Sequence, residues 1–151
     1  MVNNLEISSK TCALSYKDEK SCTIIEGEKE LNIEMPLQEF INYNCEYYGS
    51  SFEGRIKGSQ IALGMKYKLP IVVEESRELI FFPTKAYNSE SCCWISLNNI
   101  SSYEGKNSTT LVTFNSGKKQ TFEISLESFE NQVLRATKLL LIVKTRKLES
   151  N

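Results

Sequence analysis

The stretch that decides the fold is residues 47–55, YYGSSFEGR, which carries the end signal of one helix beside the start signal of another. Gly49 stands where a C-terminal helix cap belongs, and it follows apolar residues at helical spacing from Pro36 onward. Ser50, followed three residues later by Glu53, forms a capping box. The stretch therefore predicts two consecutive helices joined by a tight turn.

The second of these helices is predicted to end at Gly64. Four of its residues are predicted to share the face that packs against the core: Phe52, Ile56, Ser59 and Leu63. A longer final helix is predicted from about Ser128 to Lys144, because Phe129, Val133 and Ala136 recur at helical spacing.

Strands are predicted on both sides of the helix pair, from β-branched, aromatic and alternating residues bounded by polar turns. The stretches are Thr11–Tyr16, Ser21–Glu26, Glu30–Glu34, Pro70–Glu74, Glu78–Phe82, Trp94–Tyr103, Thr109–Phe114 and Lys119–Ile124. The last three form a meander whose clearest turn is residues 115–118, NSGK. The pattern predicts an α+β fold: a single domain over residues 1–151, with helices packed against antiparallel sheet and a C-terminal helix.

Composition sets aside several functional classes. The 151 residues contain no histidine and no P-loop, so neither His-based catalysis nor an enzyme is expected. The five cysteines lack C-x-x-C spacing, which predicts buried or idle thiols and neither a metal nor another cofactor. No apolar run reaches the length of a membrane span, and the first residues do not resemble a secretory signal. A cytoplasmic protein without a membrane partner is therefore expected.

Charge is divided unevenly along the chain, although the formal net charge is only −1. Residues 1–53 hold 4 basic and 10 acidic side chains, whereas residues 54–151 hold 14 and 9. Three windows contain no acidic residue: Gly54–Ile71, Gly105–Phe122 and Asn131–Leu148. One such window is ordinarily a solvated face, but three in one chain favour a polyanionic partner such as nucleic acid.

Seven short blocks occur in the order and spacing found in one known family. They are PLQ at 36–38, YYGSSFEGR at 47–55, KLPI at 68–71, FFPT at 81–84, CCWIS at 92–96, VTFNSGK at 112–118 and EISLESFENQVLR at 123–135. By these blocks the chain resembles ComK, the family of bacterial competence transcription factors. The resemblance covers nearly the whole chain and is strongest from about Pro36 to Leu139.

The resemblance implies a cytoplasmic activator of the genes for DNA uptake. Members of this family bind double-stranded promoter DNA as dimers, usually paired into tetramers, at A-rich and T-rich boxes read from the minor groove. Such an activator also has RNA polymerase as a partner, and many members are delivered to a Clp protease by an adaptor. The physical chemistry agrees, because A-tracts have a narrow minor groove whose negative potential attracts Arg and Lys.

The residues expected to contact DNA combine family motif positions with the acid-free windows. They are Arg55, Lys57, Lys66, Lys68, Lys118, Lys119, Asn131, Arg135 and Lys138. Each has an alternative that stays open. Arg55 fits a surface arginine paired with Glu53, the two hairpin lysines fit a solvated tip, and Asn131 and Arg135 fit a helix cap and a solvated face. Trp94 is expected in the core, and Tyr47, Tyr48 and Phe52 in the core or a dimer interface.

Two departures from the family pattern support a second hypothesis. The apolar run Leu139–Val143 stands where the family helix carries more basic residues, and it fits core, a dimer seam or an otherwise covered face. Longer relatives continue into a tail linked to activation and adaptor capture, which is expected to be short or absent here. The alternative function is a shortened ComK-like interaction protein that dimerises, or titrates a full-length partner or a protease adaptor, without activating transcription. A redox role for Cys92 and Cys93 is a third and more remote hypothesis.

Overall fold

The computed structural model describes residues 6–149, which form two antiparallel sheets, three α-helices and a short 3-10 helix. The elements are β1 (Thr11–Asp18), β2 (Ser21–Glu26), β3 (Lys29–Ile33), α1 (Leu37–Tyr47), α2 (Phe52–Leu63), β4 (Ile71–Glu74), β5 (Leu79–Pro83), β6 (Cys93–Ser96), a 3-10 turn (Leu97–Asn99), β7 (Ile100–Lys106), β8 (Thr109–Phe114), β9 (Lys119–Phe122) and α3 (Leu126–Glu149). Helix makes up 35% and strand 34% of the structure, so the predicted α+β class is confirmed.

The larger sheet has the strand order β3-β2-β1-β6-β5-β4, in which β6 is inserted between β1 and β5. Leu14 of β1 lies opposite Trp94 of β6, and Ile95 lies opposite Phe82 of β5. Every residue of β5 is buried. The centre of the sheet is therefore assembled from stretches that are far apart in the chain.

The smaller sheet is the meander β7-β8-β9, and a three-residue 3-10 turn separates it from β6. The sequence predicted one continuous strand over Trp94–Tyr103, and this prediction is wrong, because the 3-10 turn Leu97–Asn99 divides the stretch between the two sheets. The side-chain amide of Asn99 donates hydrogen bonds of 3.1 Å to the carbonyl oxygens of Ser9 and Thr11. These bonds attach the turn to the start of β1 at the point where the strand is interrupted.

Helix α2 begins one residue later than the predicted capping box. Ser51, and not Ser50, is the N-cap, because its hydroxyl accepts a hydrogen bond of 2.9 Å from the Gly54 N–H. Gly64 ends the helix as predicted, with the left-handed φ of 66° that glycine adopts without strain. All four residues predicted on the inner face are buried: Phe52, Ile56, Ser59 and Leu63.

Helix α3 joins the two sheets and extends beyond the predicted 128–144 at both ends. Phe129 is fully buried and packs on rings from both sheets, with centroid distances of 5.6 Å to Phe82 and 4.8 Å to Tyr103. Aromatic pairs at these distances and tilts are favourable beyond the area they bury. The helix is thereby held in a fixed position relative to both sheets.

The core contains several large aromatic side chains, and Trp94 is among them, as predicted. Phe52 is buried, Tyr48 is half-buried and Tyr47 is exposed, so the aromatic residues of the 47–55 stretch do not share one environment. The apolar run at the end of α3 is also divided. Leu139 belongs to the core, whereas Leu141 faces solvent.

The five cysteines are free thiols, and all except Cys93 are buried. Burial raises the pKa of Cys22, Cys45 and Cys92 to about 11, which disfavours the reactive thiolate. Buried thiols were predicted, and this is confirmed at four of the five positions. Within residues 6–149, no helix is both long and apolar enough to cross a bilayer, and no three acidic or thiol side chains gather as metal ligands.

Candidate nucleic-acid interface

Helix α3 presents three of the predicted DNA-binding residues on one side. Asn131, Arg135 and Lys138 follow the i, i+4, i+7 spacing that places side chains above one another on a helix. Asn131 and Lys138 are exposed and Arg135 is half-buried. The opposite side of the helix carries Phe129 and Ala136 into the core, so the polar side faces outward.

The loop between α2 and β4, residues 64–70, is fastened to this side of α3 by one buried glutamine. Nε2 of Gln132 donates hydrogen bonds of 3.0 Å to the Lys68 carbonyl and 2.7 Å to the Pro83 carbonyl. Its Oε1 accepts a bond of 3.2 Å from Nη1 of Arg135. Gln132 is only 3% exposed, and all of its polar groups are used. A fully satisfied buried amide of this kind fixes the groups around it in one arrangement.

Arg135 makes a second connection to the same loop. Its Nη1 donates a bond of 3.4 Å to the Tyr67 carbonyl. Lys68 adopts a left-handed backbone with a φ of 51°, which residues with a Cβ seldom adopt, and the bond from Gln132 supports that conformation. Tyr67 is 80% exposed and stands between Lys66 and Lys68.

These hydrogen bonds join the loop to the helix, and the two segments together carry five of the nine predicted residues. We call them the loop–helix cluster: Lys66, Lys68, Asn131, Arg135 and Lys138. Within residues 6–149, none of its four cations has a carboxylate partner. Some lysines elsewhere have such partners, for example Lys144, which pairs with Glu78 at 2.7 Å. The cluster is therefore a site of uncompensated positive charge.

The hairpin lysines take a different position. The tip of the β8–β9 hairpin lies on the turn between β2 and β3, where the Ser116 hydroxyl donates a bond of 2.8 Å to the Gly27 carbonyl. Nζ of Lys118 lies 3.4 Å from a carboxylate oxygen of Glu30. Lys119 is exposed. The contacts of Lys118 are thus with the acidic first third of the chain and not with the loop–helix cluster.

Arg55 is half-buried on the side of α2 that faces α3. Its Nη2 donates a long bond of 3.4 Å to the Val73 carbonyl of the edge strand β4, and its Nε is buried without a partner. The side chain lines a cavity of about 190 Å³ between α2, β4 and α3. The alternative pairing with Glu53 is not formed, since no ion pair of Arg55 occurs within residues 6–149. Lys57 is exposed on α2.

Two residues of this surface were not among the nine predicted contacts, although Gln132 belongs to the family motif at the start of the final helix. Gln132 positions the loop, and its signal was a polar residue placed within the apolar stripe of Phe129, Val133 and Ala136. Tyr67 is an exposed aromatic ring between two lysines, and its signal was the sequence KYK at 66–68. Neither signal alone distinguishes a functional surface from ordinary packing.

Comparison with known proteins identifies the family of this chain. The family model described as ComK protein matches residues 2–148. The chain belongs to the ComK family. It is similar to the competence transcription factor of Bacillus subtilis (strain 168), with 32% identity over 138 residues, which cover 89% of this chain and 72% of that protein. No solved structure matches the chain. The predicted ComK membership is confirmed, and all five residues of the loop–helix cluster lie within the matched range.

Proposed function

We propose that this chain is a cytoplasmic competence transcription factor that binds double-stranded DNA through the loop–helix cluster. Membership of the ComK family and the likeness to a protein named competence transcription factor support the general role. The proposed binding surface rests on the hydrogen bonds of the Gln132 side chain, which we call the Gln132 clamp. These bonds join the loop that carries Lys66 and Lys68 to the helix that carries Arg135. Charge gathered on one rigid surface is what binding to a phosphate backbone requires.

The proposed target is an A-rich or T-rich box read from the minor groove. A narrow minor groove attracts arginine and lysine, and its A·T pairs offer only acceptor atoms. The Arg135 guanidinium is oriented by two bonds and remains partly exposed, while Lys66, Lys68 and Lys138 are long and exposed. The amide of Asn131 supplies a donor on the same side of α3. This set of groups fits a groove lined with acceptors.

Two boxes in register call for a symmetric dimer or a dimer of dimers, which we include in the proposal. The four candidates outside the cluster are proposed as further DNA contacts: Arg55, Lys57, Lys118 and Lys119. RNA polymerase and a Clp-protease adaptor are proposed partners to which no residue is assigned. The role needs no catalytic group or cofactor.

The decisive experiment is an electrophoretic shift with a duplex that carries two spaced A/T boxes, measured from about 50 to 200 mM salt. The logarithm of the affinity should fall against that of the salt concentration by about 0.9 per phosphate neutralised. A small ligand of the A/T minor groove should displace the protein. Equal binding to a G/C duplex of the same length, or indifference to the competitor, contradicts the minor-groove proposal.

Charge variants test the surface itself. Arg135→Ala should weaken binding by roughly tenfold and reduce the salt slope by about one phosphate. The matched control is Lys20→Ala, which removes one positive charge from the exposed turn between β1 and β2. If both variants bind DNA equally well, the loop–helix cluster is not the binding surface.

A second candidate function is supported by the outer side of α3. Leu134, Leu141 and Leu148 are 66%, 63% and 76% exposed, and their spacing of seven residues places them in one stripe. Such a stripe suits pairing with a helix of a second copy or of a full-length relative. The chain would then act as an interaction protein that titrates a partner or an adaptor without activating transcription. Pulldown of a full-length relative by a protein that does not shift DNA, with loss of capture in Leu141→Ser, would favour this function.

A further inference from the structure

A groove of about 500 Å³ opens between the end of β1, the starts of α1 and α2, and the loop that precedes β6. Its floor is apolar and consists of Leu37, Phe52 and Ile56. The side chains of Tyr16 and Tyr87 form walls. This volume lies within the range of pockets that bind small molecules or peptide side chains. None of the residues of the loop–helix cluster lines it.

The aromatic part of the groove is held in place by the core. The ring of Phe52 stands edge-on between Tyr87 and Trp94, with centroid distances of 5.4 Å and 5.9 Å. Trp94 is almost completely buried, whereas Tyr87 is 42% exposed. The floor is thus preformed, and its outer wall remains accessible to a ligand.

The rim of the groove carries charge of one sign. Four carboxylates line it: Asp18, Glu19, Glu53 and Glu90. No lysine or arginine within residues 6–149 does so. The adjacent Lys17 has its Nζ engaged by Oδ1 of Asn32 at 3.0 Å, and Lys20 is exposed in the β1–β2 turn. The groove therefore combines an apolar floor with an anionic rim.

Three of these carboxylates act on the same group. Loss of hydration, together with the negative charges of Glu90, Glu19 and Asp18, raises the pKa of the Tyr16 hydroxyl. Hydrogen bonds from the Lys20 N–H and the Ser21 hydroxyl lower the pKa of Asp18, so this carboxylate is ionised at neutral pH. The rim therefore repels the phosphates of DNA and attracts cations.

We propose that this groove is the docking site for a segment of a partner protein in which lysine or arginine stands next to an aliphatic or aromatic residue. Lysine and arginine carry an apolar stem and a cationic tip, which match the floor and the rim respectively. The aromatic rings of Tyr16 and Tyr87, which line the groove, are groups with which a cation forms cation–π contacts. The complementarity of charge selects a basic segment over an acidic one. The inference does not depend on the proposed DNA binding, because the two surfaces share no residue.

The test uses the whole protein and three synthetic peptides of equal length, with blocked ends. One alternates Lys or Arg with Leu or Phe, one has Glu in place of the cations, and one has Ser in place of the apolar residues. Calorimetry and amide NMR shifts should show binding of the first peptide only, with shifts gathered at residues 16–19, 52–56 and 87–90. Fluorescence of Trp94, the only tryptophan, gives an independent signal of occupancy behind Phe52.

The double variant Glu53→Gln, Glu90→Gln should weaken the basic apolar peptide roughly tenfold. The control Glu28→Gln, Glu104→Gln changes the net charge equally at exposed positions outside the groove and should stay within about twofold of the parent protein. Tyr87→Ser should weaken the same peptide by removing the accessible wall. Equal loss in both double variants, equal binding of the acidic peptide or of spermine, or an oligomeric state that changes with the rim variant would overturn the proposal. The DNA shift assay remains a separate measurement, so failure of one proposal does not imply failure of the other.

Discussion

The side-chain amide of Gln132 donates a hydrogen bond of 3.0 Å to the carbonyl oxygen of Lys68, and this bond joins the 64–70 loop to helix α3. The two residues lie far apart in the chain, and Gln132 itself is buried. A buried amide that carries three hydrogen bonds cannot be replaced without leaving polar groups unpaired. The positions of Lys66 and Lys68 relative to Arg135 therefore depend on a residue that does not itself reach the surface.

Gln132→Leu should lower the free energy of unfolding by about 1 to 3 kcal/mol, because the carbonyl of Pro83 loses a buried partner. It should also weaken DNA binding without a change of charge, since the loop is released from α3. Urea unfolding and the shift assay measure the two effects. The neighbouring exposed Asn131→Ala is the control for stability and should change it by less than about 0.5 kcal/mol. Unaltered stability in Gln132→Leu would contradict the clamp.

Ser51→Ala should destabilise the protein by about 1 kcal/mol, because the Gly54 N–H at the start of α2 loses its acceptor. Ser50→Ala is the matched control, since the adjacent serine was the N-cap that the sequence predicted and not the one observed. Thermal unfolding of both variants distinguishes the two assignments. If Ser50→Ala lowered stability more than Ser51→Ala does, Ser50 would be the N-cap, as the sequence predicted.

Two glycine substitutions should change stability in opposite directions. Gly58→Ala should stabilise α2 by roughly 0.5 to 1 kcal/mol, because alanine favours the helix and a Cβ there meets no atom within 4 Å. Gly105→Ala should destabilise, because its Cβ would lie 2.8 Å from the Cβ of Leu126 at the start of α3. Chemical denaturation of the two variants provides the comparison. If Gly105→Ala also stabilised the protein, the packing between residue 105 and Leu126 would accommodate a Cβ, and the prediction would be wrong.

Glu74 should make the free energy of unfolding depend on pH in the acidic range. Partial burial raises its pKa, but hydrogen bonds from Ser76 and Arg77 outweigh this and lower it to about 2, from 4.5. A carboxylate whose pKa is lowered by folding stabilises the protein at any pH above its pKa in the unfolded state. This stabilisation is lost as the pH falls toward its pKa in the folded state. The advantage of the parent protein over Glu74→Gln should thus be constant above about pH 5.5 and should shrink between about pH 4.5 and 2.

Urea midpoints of both proteins across this pH range provide the measurement. Carboxylates common to both proteins cancel in the difference, so the change reports Glu74 alone. A difference that stays constant down to pH 2 would show that the carboxylate is not held in its ionised form by these bonds. Arg77 also bonds the Tyr48 hydroxyl at 2.7 Å, so the same network connects the β4–β5 turn to the end of α1.

Local signals predicted the elements well where the responsible residues are neighbours in sequence. The end of α2 at Gly64 follows from glycine's access to left-handed backbone, and the buried stripe of α2 follows from helical spacing. The division of residues 94–103 could not be predicted in this way. It depends on Asn99 reaching Ser9 and Thr11, and nothing near Asn99 in the sequence indicates those partners.

The candidate interface shows the same limit. The acid-free windows and the family motifs indicated which basic residues could contact DNA. They could not distinguish Arg135, which bonds the 64–70 loop, from Lys118, which pairs with Glu30. Both are basic residues in similar windows, and only the packing of the hairpin on the β2–β3 turn separates them. Arg55 was likewise expected on the surface, whereas its Nε is buried beside α3. Charge patterns therefore indicate which residues are available for a role, and tertiary contacts determine which of them share a surface.

The insertion of β6 between β1 and β5 has a consequence for biosynthesis. While the protein is being made, β1 has β2 as a neighbour on one edge, and its other edge stays unpaired until Cys93–Ser96 leaves the ribosome. A nascent chain of about half the final length thus exposes an apolar strand edge, which is a known route to aggregation. Every unfinished copy of the protein therefore carries this open edge until β6 has been synthesised and can pair with β1.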